Sequence, residues 1–186
     1  ATEGVAMMFE RLTKRSAFLV KMGLPVDDPK KFDESAAMNL RHRLLIFSRW
    51  CQVMLRFEKA MYENPDQNLN ELWWQLVSKY QGINKPTGRN MPDYASKIHI
   101  VSAPVYYHNY MLGELFASQL HHSIVRQLYT GKNPDEVFYA ENPKVGDYMK
   151  TKVFNLGRTL SWGRMVEFAT GSPLAADSFA KDFQGK

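Results

Sequence analysis

The chain has 186 residues, of which 45% are hydrophobic and 13% aromatic, so its composition excludes a disordered or low-complexity polypeptide. The formal net charge is +5, but the lysines and arginines are scattered rather than collected into a stripe that could follow a nucleic-acid groove. No apolar run approaches the ~18 residues of a membrane-spanning helix. We therefore expect neither a nucleic-acid partner nor a membrane span in this sequence.

Apolar residues in the first half of the chain recur at helical spacing. The longest stripe consists of Leu40, Leu44, Phe47, Cys51, Met54 and Leu55. Turn-forming residues separate the periodic segments, first at Gly23 and Pro25 and later at residues 64–66. The predicted helices of this half run over residues 3–22, from about residue 33 to the turn at residue 64, and over residues 71–80.

A loop and a short extended segment come before the remaining helices. Glycines and prolines lie close together in residues 82–96 and predict the loop. Alternation of Ile98 and Ile100 predicts an extended segment near residues 97–105, which is too short to form a sheet. The predicted helices that follow run over residues 107–129, a short piece from 134, 143–156, 161–170 and 174–183. The sequence therefore predicts an all-α fold with one extended segment.

The five histidines do not form a recognisable metal site by themselves. A catalytic zinc ion is held by three protein ligands with one position open to water. Helical sites commonly supply two of these ligands through the motif H-E-x-x-H, which is absent here. His121 and His122 are adjacent, so on a helix their side chains diverge by about 100° and do not easily share an ion.

Potential ligand-binding side chains are concentrated between residues 97 and 110. In an extended segment Lys97 and His99 point to the same side, and Tyr107 and Tyr110 lie one helical turn apart. A cation beside an imidazole and two phenols suits a ligand that ends in a carboxylate. On spacing alone, aromatic packing and an ordinary surface position explain the same residues.

Three segments together resemble the angiotensin-converting-enzyme family of zinc dipeptidyl carboxypeptidases. Residues 73–82, WWQLVSKYQG, resemble the family segment W-W-x-L-x-x-K-Y-Q-G. Residues 97–100, KIHI, resemble its K-[FY]-H-I, and Tyr107 and Tyr110 match its Y-x-x-Y if one residue is inserted near Pro104. This combination is much more specific than any of its parts.

Weaker similarities extend the resemblance over essentially the whole chain, in order. Residues 119–121, QLH, are similar to the family's Q-F-H. Glu3 stands where the family has H-E-A-I-G. The resemblance implies that residues 1–186 are a single C-terminal fragment of the catalytic domain of a helical, zincin-type peptidase of bacterial type.

The resemblance also implies a role for individual residues. Glu3 would be the third zinc ligand, and Lys97 and Tyr107 would hold the C-terminal carboxylate of a peptide substrate. His99 would hydrogen-bond a substrate carbonyl, and Tyr110 would donate to the oxyanion that develops in the transition state.

The insertion near Pro104 leaves open whether Tyr106 or Tyr107 is the carboxylate ligand. The metal-binding helix with H-E-x-x-H is expected upstream of Ala1 and absent from this chain, so the isolated chain should bind zinc weakly or not at all and hydrolyse no peptide. The expected partners are a peptide substrate and the upstream part of the same catalytic domain. The family resemblance suggests a secreted, periplasmic or membrane-associated protein.

Two other functions remain open on the sequence. A related helical zinc oligopeptidase also places tyrosines and a histidine after its metal site, and it would cleave in the middle of long peptides. A non-catalytic helical interaction module would keep the fold without the chemistry.

Overall fold

A computed structural model describes residues 1–140 and 142–184, and over these residues it confirms the all-α prediction. The α-helices of the described residues are α1 (Thr2–Glu10), α2 (Ser16–Lys21), α3 (Pro29–Glu63), α4 (Leu69–Gln81), α5 (Ile98–Val101), α6 (His108–Leu128), α7 (Pro143–Met149), α8 (Trp162–Thr170) and α9 (Asp177–Lys181). Short 3-10 helices cover Arg11–Lys14, Asp93–Ser96 and Pro134–Glu136, and a π-helix over Lys150–Phe154 follows α7 directly. Within the described part of the chain, no helix is long and apolar enough to cross a bilayer.

The predicted helix over residues 3–22 is interrupted. After α1, a 3-10 helix leads to Arg15, whose backbone is extended with φ −119° and ψ 121°. Ser16 then begins α2, and its backbone N–H and its hydroxyl both donate 2.7 Å hydrogen bonds to the carboxylate of Asp33. The apolar period continues across this break because it reports which faces are buried and not whether the backbone is continuous.

The predicted extended segment near residues 97–105 is wrong. Lys97 has an extended backbone (φ −91°, ψ 113°), but the next residues form the short helix α5. The Ser102 N–H donates to the Ile98 carbonyl at 2.8 Å, and the Val101 N–H donates to the Lys97 carbonyl at 3.2 Å. A strand would need a partner to bond these groups, whereas a helical turn satisfies them locally. Strand alternation therefore does not determine where Lys97 and His99 point.

The chain divides into two compact units. Unit 1 comprises residues 1–41 and 112–186, and unit 2 comprises residues 42–111. The core of unit 1 includes Met8, Leu12, Phe116, Leu120, Ile124, Met149 and Val166. The core of unit 2 is formed by Val53, Met54, Phe57, Trp73 and Val77.

In unit 1, helices α1 and α6 approach closely at two glycines. A Cβ atom at Gly4 would lie 2.6 Å from Phe116 Cδ1 and 3.1 Å from the Gly113 carbonyl oxygen. A Cβ atom at Gly113 would lie 3.0 Å from both Glu3 Cβ and Met7 Sδ. The two glycines thus let the first turns of α1, including Glu3, pack directly against α6.

The substitution Gly113→Ala should destabilise the protein. The added methyl group forces α1 away from α6, which costs about 1–3 kcal/mol in overpacked cores and exceeds the gain in helix propensity of up to about 1 kcal/mol. Urea unfolding followed by circular dichroism measures the difference. The control is Gly146→Ala, another helical glycine, where a Cβ atom meets nothing within 4 Å. Equal losses in the two variants would contradict the close-approach argument.

Candidate functional site

His99, Tyr107 and Tyr110 form one cluster in unit 2. The His99 Nε2 atom and the Tyr110 hydroxyl are hydrogen-bonded at 2.9 Å. The Tyr107 ring lies edge-on to both neighbours, with centroid distances of 4.9 Å to His99 and 5.1 Å to Tyr110. Residues on either side of the connection between α5 and α6 are therefore brought together at one place.

The elements that carry these side chains explain their positions. His99 lies in α5, and Tyr107 immediately precedes α6, where its carbonyl accepts a 3.2 Å hydrogen bond from the Tyr110 N–H. Phe47 of α3 packs against both tyrosines, with centroids 6.4 and 6.5 Å away. An aromatic side chain of the long helix α3 thus packs against both tyrosines of the cluster.

Lys97 joins this cluster through Trp50. The Lys97 ammonium lies over the Trp50 ring, 5.5 Å from its centroid, in a cation–π contact. The Trp50 side chain also interacts with Tyr107, and this interaction lowers the pKa of the phenol. Trp50 itself packs edge-on against Trp73, which is only 3% exposed. One indole therefore contacts both Lys97 and Tyr107, the two residues expected to bind a carboxylate.

The Tyr107 phenol is a proton donor across the neutral pH range. Its pKa is raised to about 12, chiefly by burial and to a smaller extent by electrostatic interaction with Cys51, while the interaction with Trp50 opposes the shift. A neutral phenol can donate to a carboxylate, whereas a phenolate would repel it. The half-buried position of Tyr107 therefore preserves the form that is useful for anion binding.

A cavity of about 850 Å³ lies beside Lys97 in unit 2. Its lining includes Trp50, Trp73, Trp74, Arg89, Asp93 and Lys97. The Arg89 Nε–H donates to Asp93 at 2.7 Å, and the Trp74 Nε1–H donates to the same carboxylate at 3.0 Å. The hydrogen bond from Arg89 is the largest cause that lowers the pKa of Asp93, with smaller contributions from Trp74 and Lys97. The cavity thus combines an aromatic wall with fixed charges.

Glu3 belongs to α1 in unit 1, whereas Lys97, His99, Tyr107 and Tyr110 all belong to unit 2. Among residues 1–140 and 142–184, no three His, Cys, Asp or Glu side chains are grouped closely enough to hold a metal ion. A catalytic zinc site needs three protein ligands. The described residues therefore do not fit a complete zinc site, and no metal-dependent step is assigned to them.

The adjacent histidines of α6 have protein partners in unit 1. His121 Nε2 lies 3.0 Å from the Pro134 carbonyl, which can only accept, so Nε2 carries the proton and Nδ1 accepts from the Tyr139 hydroxyl. His122 Nε2 bonds the Asp182 carboxylate at 3.0 Å. Burial is the largest cause that lowers the pKa of His121, to about 4. His121 is therefore a neutral, hydrogen-bonded residue of the fold.

Sequence reasoning missed the roles of Phe47 and Trp50. The apolar stripe of the long helix includes Phe47 but does not indicate that it packs against both tyrosines. The two residues lie one helical turn apart on α3, which is a visible signal of a shared face. Periodicity does not reveal which distant residues such a face contacts.

The sequence is similar to a known family over most of its length. The family model described as angiotensin-converting enzyme matches residues 51–184. Angiotensin-converting enzyme of Rattus norvegicus is 30% identical to this chain over 110 residues, covering 58% of this chain and 8% of that protein. The protein of the same name from Theromyzon tessulatum is 23% identical over 119 residues, covering 63% of this chain and 19% of its own length. The chain thus matches only a small part of these relatives.

The buried His121 should make stability depend on pH. Its folded pKa of about 4 lies below the ordinary value of 6.5, so the unfolded chain binds the extra proton in that window. The contribution of neutral His121 to the free energy of unfolding is fully present above pH 6.5. On the order of 3 kcal/mol of this free energy is lost as the pH falls to about 4. Urea unfolding of the wild type and His121→Gln across this window should show a shallower pH dependence in the variant. The matched control is His42→Gln, which removes an exposed imidazole; an unchanged slope in His121→Gln would reject this account.

Proposed function

The chain belongs to the angiotensin-converting enzyme family, and we propose that it supplies substrate-binding residues of a zinc-dependent peptidyl-dipeptidase. Such an enzyme hydrolyses a peptide bond near the C-terminus of its substrate and releases a dipeptide. The observation that supports this proposal is the convergence of Lys97 and Tyr107 on Trp50, next to the pair formed by His99 and Tyr110.

Lys97 and Tyr107 bind the free carboxylate of the peptide. An ammonium group and a phenol that keeps its proton provide charge-assisted hydrogen bonds to the two carboxylate oxygens. Tyr107 suits this role better than Tyr106, because Tyr107 and Lys97 both interact with Trp50. Tyr106 is 37% exposed and packs edge-on against Tyr110, with centroids 5.5 Å apart.

His99 and Tyr110 act on the peptide backbone. When a substrate binds, the hydrogen bond between them is exchanged for bonds to substrate oxygens, with His99 donating to a carbonyl. The Tyr110 hydroxyl donates to the oxygen that becomes negative as the scissile carbonyl is attacked, and so it stabilises the transition state more than the substrate. A fixed distance between this pair and the carboxylate site sets the position of cleavage.

Zinc binding would require protein ligands in addition to Glu3. In a zinc peptidase the ion activates the water molecule that attacks the carbonyl. Glu3 is the one ligand expected from this chain, and we propose that the upstream part of the same catalytic domain provides the others. Zinc binding and hydrolysis would then depend on that part of the protein.

A preference for a free C-terminus tests the carboxylate site in the full-length protein that carries this sequence. We expect a peptide with a free carboxylate to be cleaved faster than the same peptide with a C-terminal amide. Lys97→Met should lower kcat/KM for the free peptide about 10- to 100-fold, because a hydrogen bond between charged groups is lost, and should change cleavage of the amide little.

Lys79→Met is the matched control, since the Lys79 ammonium also lies over an aromatic ring, 5.6 Å from the Tyr80 centroid. Its kinetics should equal those of the wild type. Cleavage of both peptides at equal rates, in the middle of long sequences, would instead favour a zinc oligopeptidase. A full-length protein that cleaves neither peptide would favour an interaction module.

The isolated 186-residue chain should be inactive. Glu3 is its only predicted zinc ligand, and one carboxylate binds the ion weakly compared with a three-ligand site. Isothermal titration with zinc and a peptidase assay on the purified chain measure both properties. Stoichiometric zinc binding together with peptide hydrolysis would overturn this expectation.

A further inference from the structure

A strained corner precedes the two tyrosines of the candidate site. Val105 has a φ of +55°, and it is the one residue other than glycine with positive φ among residues 1–140 and 142–184. This conformation is disfavoured for any side chain with a Cβ atom and most of all for a branched one. Such a corner persists only where its surroundings hold it in place.

A buried carboxylate holds this corner. The backbone N–H of Val105 donates to Oε1 of Glu58, which is only 5% exposed. A buried carboxylate is unfavourable unless hydrogen-bond donors satisfy it, and a backbone N–H is a suitable donor. Both residues lie within unit 2.

The part of α3 that carries Glu58 is tightly packed. Glu58 follows Phe57 on α3, and Phe57 is fully buried between Trp73 and Tyr94, with centroid distances of 5.1 and 4.8 Å. Helix α3 also carries Trp50, which contacts Lys97 and Tyr107. The corner at Val105 is therefore held by the same helix, α3, that supports Lys97 and Tyr107, the proposed binding site for the substrate carboxylate.

We propose that Glu58 is a positioning residue, which holds the corner at Val105 so that Tyr107 and Tyr110 face the peptide together with His99. This inference rests on the proposed function. Glu58 does not touch the substrate; it determines the direction in which the chain enters α6. Without its acceptor oxygen, Val105 relaxes toward negative φ and both tyrosines move away from His99.

Three variants of the full-length protein test the role of Glu58. Glu58→Ala removes the acceptor and should lower kcat/KM for a free-carboxylate peptide about tenfold or more. It should also reduce the preference for that peptide over its amide, because Tyr107 is displaced. Glu58→Gln keeps an acceptor oxygen in place and should restore most of the preference. Glu63→Ala removes an exposed carboxylate from the same helix and should behave as the wild type.

The ratio of kcat/KM for the free-carboxylate peptide to kcat/KM for its amide distinguishes a positioning role of Glu58 from a loss of stability. Partial unfolding would lower both values equally and leave their ratio unchanged. Hydrogen exchange of residues 102–107 in the same proteins provides a readout that needs no activity. Exchange should be faster in Glu58→Ala than in the wild type, Glu58→Gln and Glu63→Ala. An unchanged substrate preference in Glu58→Ala, or the same loss in Glu58→Gln, would overturn the inference. If the wild type cleaves no peptide, the proposed function fails, and hydrogen exchange alone decides whether Glu58 holds the corner.

Discussion

The connection between α5 and α6 is the constraint on which the candidate site depends. Lys97 and His99 come before it, and Tyr107 and Tyr110 come after it, so the path of these few residues decides whether the four side chains meet. The 2.9 Å hydrogen bond between His99 and Tyr110 joins the two sides. Val105, whose φ is positive, lies within this connection.

An aromatic framework gives this connection a rigid base. Trp73 is buried and packs edge-on against Trp50 and Phe57, with centroid distances of 5.7 and 5.1 Å. Aromatic side chains have few rotatable bonds, so they provide a large contact area at a small cost in conformational entropy. Lys97 and Tyr107, the residues proposed to bind the substrate carboxylate, contact this framework through Trp50.

Much of the fold could be predicted from the sequence, because most helices bury an apolar stripe and end at clear turn residues. Helix α4 is an example, because the helix predicted over residues 71–80 forms over Leu69–Gln81 and is followed by Gly82 in the left-handed conformation. The segment near residues 97–105 could not be predicted in this way, since branched side chains suggest a strand, whereas the described part of the chain contains no strand to pair with it. Glu58 was also missed. Glu58 is one of several acids on this amphipathic helix, and nothing in the sequence shows that the distant Val105 N–H bonds to it.

The charges around Lys97 support the proposal that this site binds a carboxylate. The Asp93 carboxylate is close enough for Lys97 to help lower its pKa, so it competes for the ammonium group. Arg89 bonds Asp93 at 2.7 Å and thereby satisfies that carboxylate with a different cation. The Lys97 ammonium lies over the negatively polarised face of Trp50, and Tyr107, which also interacts with Trp50, is neutral. One positive charge and one phenolic donor balance a single carboxylate, whereas an ionised Tyr107 would cancel the charge of Lys97 and repel the ligand.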